Sequence, residues 1–161
     1  MKLVFNSLHS GLANNGGSRT VILCSQMLEK LGHICDITAT DDKFTWFEHK
    51  RVVPHIPTDL DAIISTACTT VSTTLHSDAP TKAWYIRGHE SWMYSEDQLS
   101  NLYNIGLINI VNSKGLQQKL ASYGADSVVI YPGIDDFWEY TNLRPKDSIR
   151  IGCLYQKKST K

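Results

Sequence analysis

Residues 2–38 read KLVFNSLHSGLANNGGSRTVILCSQMLEKLGHICDIT, and the pattern of this stretch decides the fold. Short apolar runs at Lys2–Asn6 and at 33–38 predict two strands. Between them, apolar residues recur at the spacing of one buried helix face, at Val21, Cys24, Leu28 and Leu31. A strand, a helix and a second strand in this order predict a βαβ unit with parallel strands.

The predicted helix has a start signal and a stop signal. Ser18 can cap its first turn, because a serine oxygen accepts a hydrogen bond from a free backbone N–H there. Gly32 follows the last apolar position, and glycine tolerates the left-handed conformation at a helix end. We therefore expect the helix to lie between Ser18 and Gly32.

The alternation of strands and helices continues along the chain. Further apolar runs predict strands at 61–65, 82–86, 107–111 and 127–130. Helices are predicted at 95–103 and at 113–123, the second one ending at Gly124. Residues 41–57 show no clear pattern. The whole predicts an α/β fold, a doubly wound parallel Rossmann-like sheet of about six or seven strands.

A change of pattern predicts the domain organisation. Residues 131–148 read YPGIDDFWEYTNLRPKDS, a turn and then polar residues, which is typical of a connector. Residues 149–155 then predict a new strand, and one strand cannot form a domain. We expect a Rossmann-like domain at 1–148, with its connector from about residue 131, and the start of a truncated second domain at 149–161.

Composition excludes several classes of function. Lys plus Arg and Asp plus Glu both number 16, so no long-range field attracts nucleic acid. No stretch approaches the roughly 18 apolar residues of a membrane span, and the first residues are too short an apolar run for a signal peptide, so the expected location is cytoplasmic.

The cysteines lack a CxxC pair and are expected to be reduced and structural, namely Cys24, Cys35, Cys68 and Cys153. The histidine spacing predicts no metal site.

The loop SGLANNGGSRT at 10–20 leads into the first helix, where a doubly wound sheet places its ligand. It is not a P-loop, because Gly17 stands where that motif needs a lysine. It also lacks the GxGxxG of a dinucleotide fingerprint. Gly16 and Gly17 could let the backbone approach a sugar or diphosphate, with Arg19 adding charge, or the loop could simply join strand to helix. The loop alone leaves both interpretations open.

A second candidate segment, RGHESW at 87–92, follows the predicted strand at 82–86. The imidazole of His89 can donate to a sugar hydroxyl, and the indole of Trp92 offers a face for a sugar ring. Arg87 could serve a phosphate or pair with a nearby acid, and Glu90 could be a solvated charge.

Several segments together resemble the family-four-type retaining glycosyltransferases. NNGGSRTVILCSQMLEKLGHICDI is similar to the opening of those enzymes, with two glycines, an apolar helix and then leucine, glycine and histidine before the second strand. Four more segments are similar and follow in the family's order, YIRGHESW at 85–92, VNSKGLQQKLASYG at 111–124, VIYPGIDDFW at 129–138 and RIGCLYQKKSTK at 150–161.

This resemblance implies the amino-terminal half of a GT-B fold, in which two Rossmann-like domains face each other across a cleft. The missing carboxy-terminal domain would hold most of the donor. The implied reaction transfers a sugar, with retention, from a nucleotide sugar to a glycan, lipid or protein acceptor. It needs no cofactor besides the donor and no metal. A lipid acceptor would bring peripheral membrane contact, and the piece alone is expected to be inactive.

The resemblance also implies roles for single residues. Gly16 and Gly17 would lie near the donor diphosphate, and His89 would be the catalytic histidine of the cleft. Lys158 or Lys161 would match the lysine that neutralises the diphosphate.

The remaining candidates complete the predicted site. Arg19 is expected to add charge near the donor phosphates. Three residues are expected to contact acceptor or sugar, namely Arg87, Glu90 and Trp92. This chain departs from the family at Cys153, where many members have arginine. A non-catalytic module that binds a nucleotide or glycan is the alternative function, and an unrelated Rossmann oxidoreductase is a third.

Overall fold

Six parallel strands make one sheet in the computed structural model, which describes residues 1–50 and 52–133. The strand order is β2-β1-β3-β4-β5-β6, and every neighbouring pair is parallel. The strands are β1 Lys2–Asn6, β2 Ile34–Thr38, β3 Ala62–Ser65, β4 Thr81–Ile86, β5 Ile108–Val111 and β6 Val128–Val129. The predicted α/β fold with a parallel sheet is confirmed.

The sheet changes its direction of growth beside β1. The chain passes from β1 outward to β2, and then returns so that β3 lies on the other side of β1. Asn6 is paired with Ser65 at the carboxyl ends of these two strands. Open α/β sheets bind ligands at such a reversal, outside the carboxyl ends of the strands.

Helices lie on both faces of the sheet, as a doubly wound fold requires. They are α1 Gly16–Lys30, α2 Val71–Leu75, α3 Glu96–Tyr103 and α4 Lys114–Ala121, with a 3-10 turn at Cys68–Thr70 before α2. The predictions of α1, α3 and α4 are confirmed. The sequence did not predict α2, because its five residues VSTTL are too few to show a helical period and include residues that favour strands or turns.

The first face of the sheet is covered by α1. Val21 and Ile22 of this helix are fully buried and pack in one cluster with Phe5 of β1 and with Cys35 and Ile37 of β2. This packing explains the helix, because burial of its apolar stripe stabilises it more than local propensity does.

The opposite face is covered by α3 and α4. Leu99 and Leu120 are completely buried there and pack with Trp84 and Ile86 of β4 and with Val111 of β5. The residues of β4 alternate between the two faces, as the period of a strand requires. The apolar runs of the central strands are therefore covered on both sides, whereas Ile34 of β2, Ile108 of β5 and Val128 of β6 are exposed.

The helix boundaries differ from the prediction in one respect. Asn15, not Ser18, is the N-cap of α1, and its side chain accepts a hydrogen bond from the Ser18 N–H at 2.9 Å. Gly16 and Gly17 consequently belong to the first turn of the helix. The stop signals are confirmed, since Gly32 has φ of +87° and Gly124 has φ of +73°.

Some predictions lie outside the described residues. These are the connector from residue 134 onward, the strand at 149–155, and the roles of Cys153, Lys158 and Lys161. Within the described part of the chain, no helix combines the length and the apolar character needed to cross a membrane.

Candidate functional site

The carboxyl ends of β1, β3 and β4 meet the start of α1 at one edge of the sheet, and we name this region, where open α/β sheets bind ligands, the crevice. The loop at 7–15 connects β1 to α1 and forms one side of it. The residues after β3 and β4 form the other side, and Arg87 joins the two sides.

The loop after β1 is held by its own polar groups. Gly11 has φ of +63°, a conformation that glycine adopts without strain. The Ala13 N–H donates to Ser18 Oγ at 3.0 Å, and the Leu12 N–H donates to the Asp41 carbonyl at 2.8 Å. These bonds fix the position at which the helix begins.

Arg87 follows β4 and reaches across the sheet toward β3. Its Nη2 donates to the Thr66 carbonyl at 2.7 Å, and its guanidinium carbon lies 6.0 Å from the centre of the Tyr85 ring. Its Nη1 is buried and has no hydrogen-bond partner among the described residues. Burial lowers the pKa of the Arg87 guanidinium from its ordinary value. The side chain therefore holds a desolvated cation with an unused donor.

The unused nitrogen of Arg87 lies against the glycine pair. A Cβ atom built on Gly17 would lie 2.6 Å from Arg87 Nη1, closer than such contacts allow, whereas one built on Gly16 would meet nothing within 4 Å. Gly17 thus leaves the space that the guanidinium occupies. The start of a helix carries a partial positive charge, so two positive groups meet here.

A buried polar network lies at the carboxyl ends of β1 and β3, next to the crevice. Asn6 Nδ2 donates to the Thr70 carbonyl and to the hydroxyls of Thr73 and Thr74, at 3.2, 2.8 and 3.0 Å. Ser7 Oγ and Thr66 Oγ1 lie 2.8 Å apart. These bonds join the end of β1 to the segment that follows β3 and to α2. Sequence reasoning missed the network, although polar residues that directly follow an apolar strand could have indicated it.

His89 is engaged through both ring nitrogens. Nδ1 lies 3.0 Å from the Tyr103 hydroxyl, and Nε2 lies 3.0 Å from Glu96 Oε1. The ring also stacks on Tyr123 with centroids 6.0 Å apart. The histidine therefore ties the loop after β4 to α3, and contact with a substrate would need one of these bonds to open.

Glu90 and Trp92 lie on the same loop, but Glu90 is hydrogen-bonded within the protein and Trp92 is exposed. Glu90 accepts hydrogen bonds from the thiol and the backbone N–H of Cys68. Burial and then the carboxylate of Glu90 raise the pKa of the Cys68 thiol to about 12. Trp92 has 73% of its surface exposed, and its ring passes close to Gly88. Among the predicted residues, the structure brings Gly17 and Arg87 together, and Gly16 is present only as the sequence neighbour of Gly17.

The other predicted features can be located as well. Arg19 is in the first turn of α1, where its N–H donates to the Asn15 carbonyl at 3.1 Å. Cys24, Cys35 and Cys68 are free thiols, as expected. Burial raises the pKa of Cys35 to about 11, so this thiol is protonated at neutral pH. The described ranges contain no group of three or more His, Cys, Asp or Glu side chains arranged to hold a metal.

No family model matches this chain, and no curated protein or solved structure is significantly similar to it.

Proposed function

We propose that this chain is the amino-terminal, Rossmann-like half of a GT-B-fold glycosyltransferase, and that its crevice binds the diphosphate of a nucleotide-sugar donor. One observation carries the proposal: the buried, unpartnered Nη1 of Arg87 lies against Gly17 at the start of α1. The sequence resemblance to retaining glycosyltransferases supplies the reaction class.

The electrostatics of the crevice favour an anion. A guanidinium that is desolvated beside the positive end of a helix is unfavourable unless a negative charge neutralises both. A phosphate oxygen accepts from guanidinium N–H groups and from backbone N–H groups at a helix start, which are the two kinds of donor that meet here. Arg87, assigned from sequence to an acceptor or sugar, is therefore proposed as a phosphate ligand.

The described residues supply one wall of such a site. Charge that develops on the leaving diphosphate must be met by preorganised donors in a closed site. A family-four-type enzyme brings the opposite wall from a second domain, and transfer proceeds with retention and without a metal. We expect the chain alone to bind donor weakly and to transfer no sugar.

A second candidate function is a binding module without catalysis. It is favoured by His89, because both of its ring nitrogens are already bonded, to Tyr103 and to Glu96. In that case the crevice would hold a nucleotide or glycan, and no reaction would follow.

The experiment is a ligand titration followed by nuclear magnetic resonance, which detects weak binding. UDP-glucose, GDP-mannose, pyrophosphate and NAD are added separately to the labelled chain. We expect a nucleotide sugar and pyrophosphate to shift the same backbone amides at 15–19 and to compete with each other. Tighter binding of NAD than of either nucleotide sugar would contradict the proposal and favour an oxidoreductase. Absence of binding by all four ligands would also contradict it.

A transfer assay separates the two candidate functions. The chain is mixed with the nucleotide sugar that binds best and with a carboxy-terminal donor domain of a family-four-type enzyme. Transfer or donor hydrolysis that depends on this chain supports the transferase. Binding without any turnover favours the binding module.

A further inference from the structure

A cluster of aromatic side chains lies on the loop at 42–49, which we name the aromatic loop. It follows β2 and leaves the sheet at the same carboxyl edge as the crevice. Asn14 and Thr45 bind each other reciprocally: the Thr45 N–H donates to Asn14 Oδ1 at 2.8 Å, and Asn14 Nδ2 donates to Thr45 Oγ1 at 2.9 Å. The aromatic loop is thus bonded to the segment that begins α1.

Further bonds hold the aromatic loop from its other sides. The Lys43 N–H donates to the Leu12 carbonyl at 2.9 Å, and Gln26 of α1 donates to the Glu48 carbonyl at 3.1 Å. Phe44 is buried at 6% exposure and packs in the cluster beneath α1. A loop fixed in this way presents its side chains in one arrangement, which lowers the entropic cost of binding.

The aromatic loop carries a cluster of rings around an open depression. Phe44 lies 5.7 Å from Trp46 and 4.9 Å from Phe47, measured between ring centroids. Five residues line the depression, which has a volume of about 510 Å³, namely Phe44, Thr45, Phe47, Glu48 and His49. Trp46 is not one of these five, but its ring contacts Phe44 of the lining and 52% of its surface is exposed.

We infer that this depression binds a pyranose ring, with Trp46 as the stacking surface and with Glu48 and Thr45 as hydrogen-bonding groups. The assignment of that sugar as the acceptor rests on the proposed function. An aromatic face beside polar groups matches a sugar ring, which has apolar C–H faces and a rim of hydroxyls. The Thr45 oxygen accepts from Asn14, so its own proton remains able to be donated.

The charges of the aromatic loop favour a neutral ligand over an anion. Glu48 is exposed and carries a carboxylate at the depression. The nearby ammonium of Lys43 lies 2.6 Å from the Asp41 carboxylate, so its charge is already paired. His49 also lines the depression, and its Nε2 lies 3.5 Å from the Asp42 carboxylate, so these charges suit a neutral polyol better than a phosphate. We therefore expect the two surfaces to bind different ligands: an anion at Arg87 and a neutral sugar at Trp46.

The test measures sugar binding to the native chain and to variants that each lack one exposed aromatic ring. Maltose, cellobiose, N,N′-diacetylchitobiose and mannobiose are titrated into the labelled chain, and pyrophosphate is titrated in parallel. We expect at least one disaccharide to bind and to shift the indole N–H of Trp46. Trp46→Ala should weaken that binding roughly five- to tenfold. The control Tyr131→Ala removes an exposed aromatic ring outside the aromatic loop and should leave it unchanged.

Glu48→Gln keeps the shape of the depression and should also weaken the disaccharide, whereas pyrophosphate binding should not change in either variant. Thermal melts of the variants establish that the fold is retained. The inference is wrong if no disaccharide binds, if Trp46→Ala has no effect, or if it weakens pyrophosphate instead. If the native chain binds a disaccharide but does not bind pyrophosphate, only the proposed function is contradicted.

Discussion

At the scale of single residues, two neighbouring glycines have different surroundings. A side chain at Gly17 would collide with Arg87, and a side chain at Gly16 would meet open space. The sequence could indicate that the pair matters, since both glycines stand where a ligand crevice is expected. It could not separate them, because the difference comes from an arginine that is distant in sequence and arrives from β4.

This difference gives a prediction with an internal control. Gly17→Ala should push the Arg87 guanidinium out of place and weaken pyrophosphate binding by roughly tenfold, because a charged hydrogen bond is lost. The unfolding midpoint should fall only slightly, because the helix propensity of alanine offsets part of the crowding at Arg87 and at the capping oxygen Asn15 Oδ1, which would lie 3.1 Å from the new Cβ. Gly16→Ala should leave the pyrophosphate affinity unchanged and should not lower the midpoint. Titration calorimetry with both variants checks this, and equal affinities would contradict it.

The cluster around His89 gives a prediction about pH. The hydrogen bond from His89 is the main cause that lowers the pKa of Glu96, and Lys119 adds to it. A carboxyl whose folded-state pKa is depressed contributes stability above its unfolded pKa, and loses it as the pH falls through the folded value. Glu96→Gln should therefore lower the melting temperature at neutral pH, and the difference should disappear in acid below the usual carboxyl range.

Asp97→Asn is the control for that experiment, because it removes the same charge from the same first turn of α3. Both residues interact with the helix dipole, but the contacts to His89 belong to Glu96. A similar pH dependence for Asp97→Asn and Glu96→Gln would show that the dipole, and not His89, is responsible.

At the scale of helices and strands, the sequence predicts the elements that have their own period. The apolar stripe of α1 and the helices at 95–103 and 113–123 are visible in the pattern, and in the structure Ser95 and Ser113 are the N-caps of α3 and α4. The sequence pattern predicts the cap of α1 at Ser18, three residues after the observed cap at Asn15. Ser18 has a side-chain oxygen that can cap a helix, but Asn15 has one as well and is the cap in the structure. The helix therefore begins at Gly16 and includes both glycines.

The cap of α1 can be tested directly. Asn15→Ala removes the oxygen that accepts from the Ser18 N–H, and should lower the free energy of unfolding by about 1 kcal/mol. Asn14→Ala removes only exposed bonds to Thr45 and should cost less. Urea denaturation of both variants measures the two effects. An unchanged midpoint for Asn15→Ala would contradict the assignment of the cap.

At the scale of the whole molecule, strand order determines which residues meet. The alternation of strands and helices predicts a doubly wound parallel sheet, but not that its reversal falls between β2 and β3, beside β1. That return brings Thr66 beside the first loop and lets Arg87 span the gap. The aromatic loop was the least readable segment of the sequence, since its order comes from bonds to Asn14 and Gln26 rather than from any repeating pattern.

The central claim is that the crevice at Arg87 binds a diphosphate. The most direct measurement is the affinity of pyrophosphate for the native chain and for Arg87→Met, with Lys119→Met as a control that removes one positive charge from α4. We predict that Arg87→Met weakens binding by roughly tenfold to a hundredfold, as expected for a lost charged hydrogen bond, and that Lys119→Met does not change it. Equal affinity of the native chain and a folded Arg87→Met variant would contradict the claim.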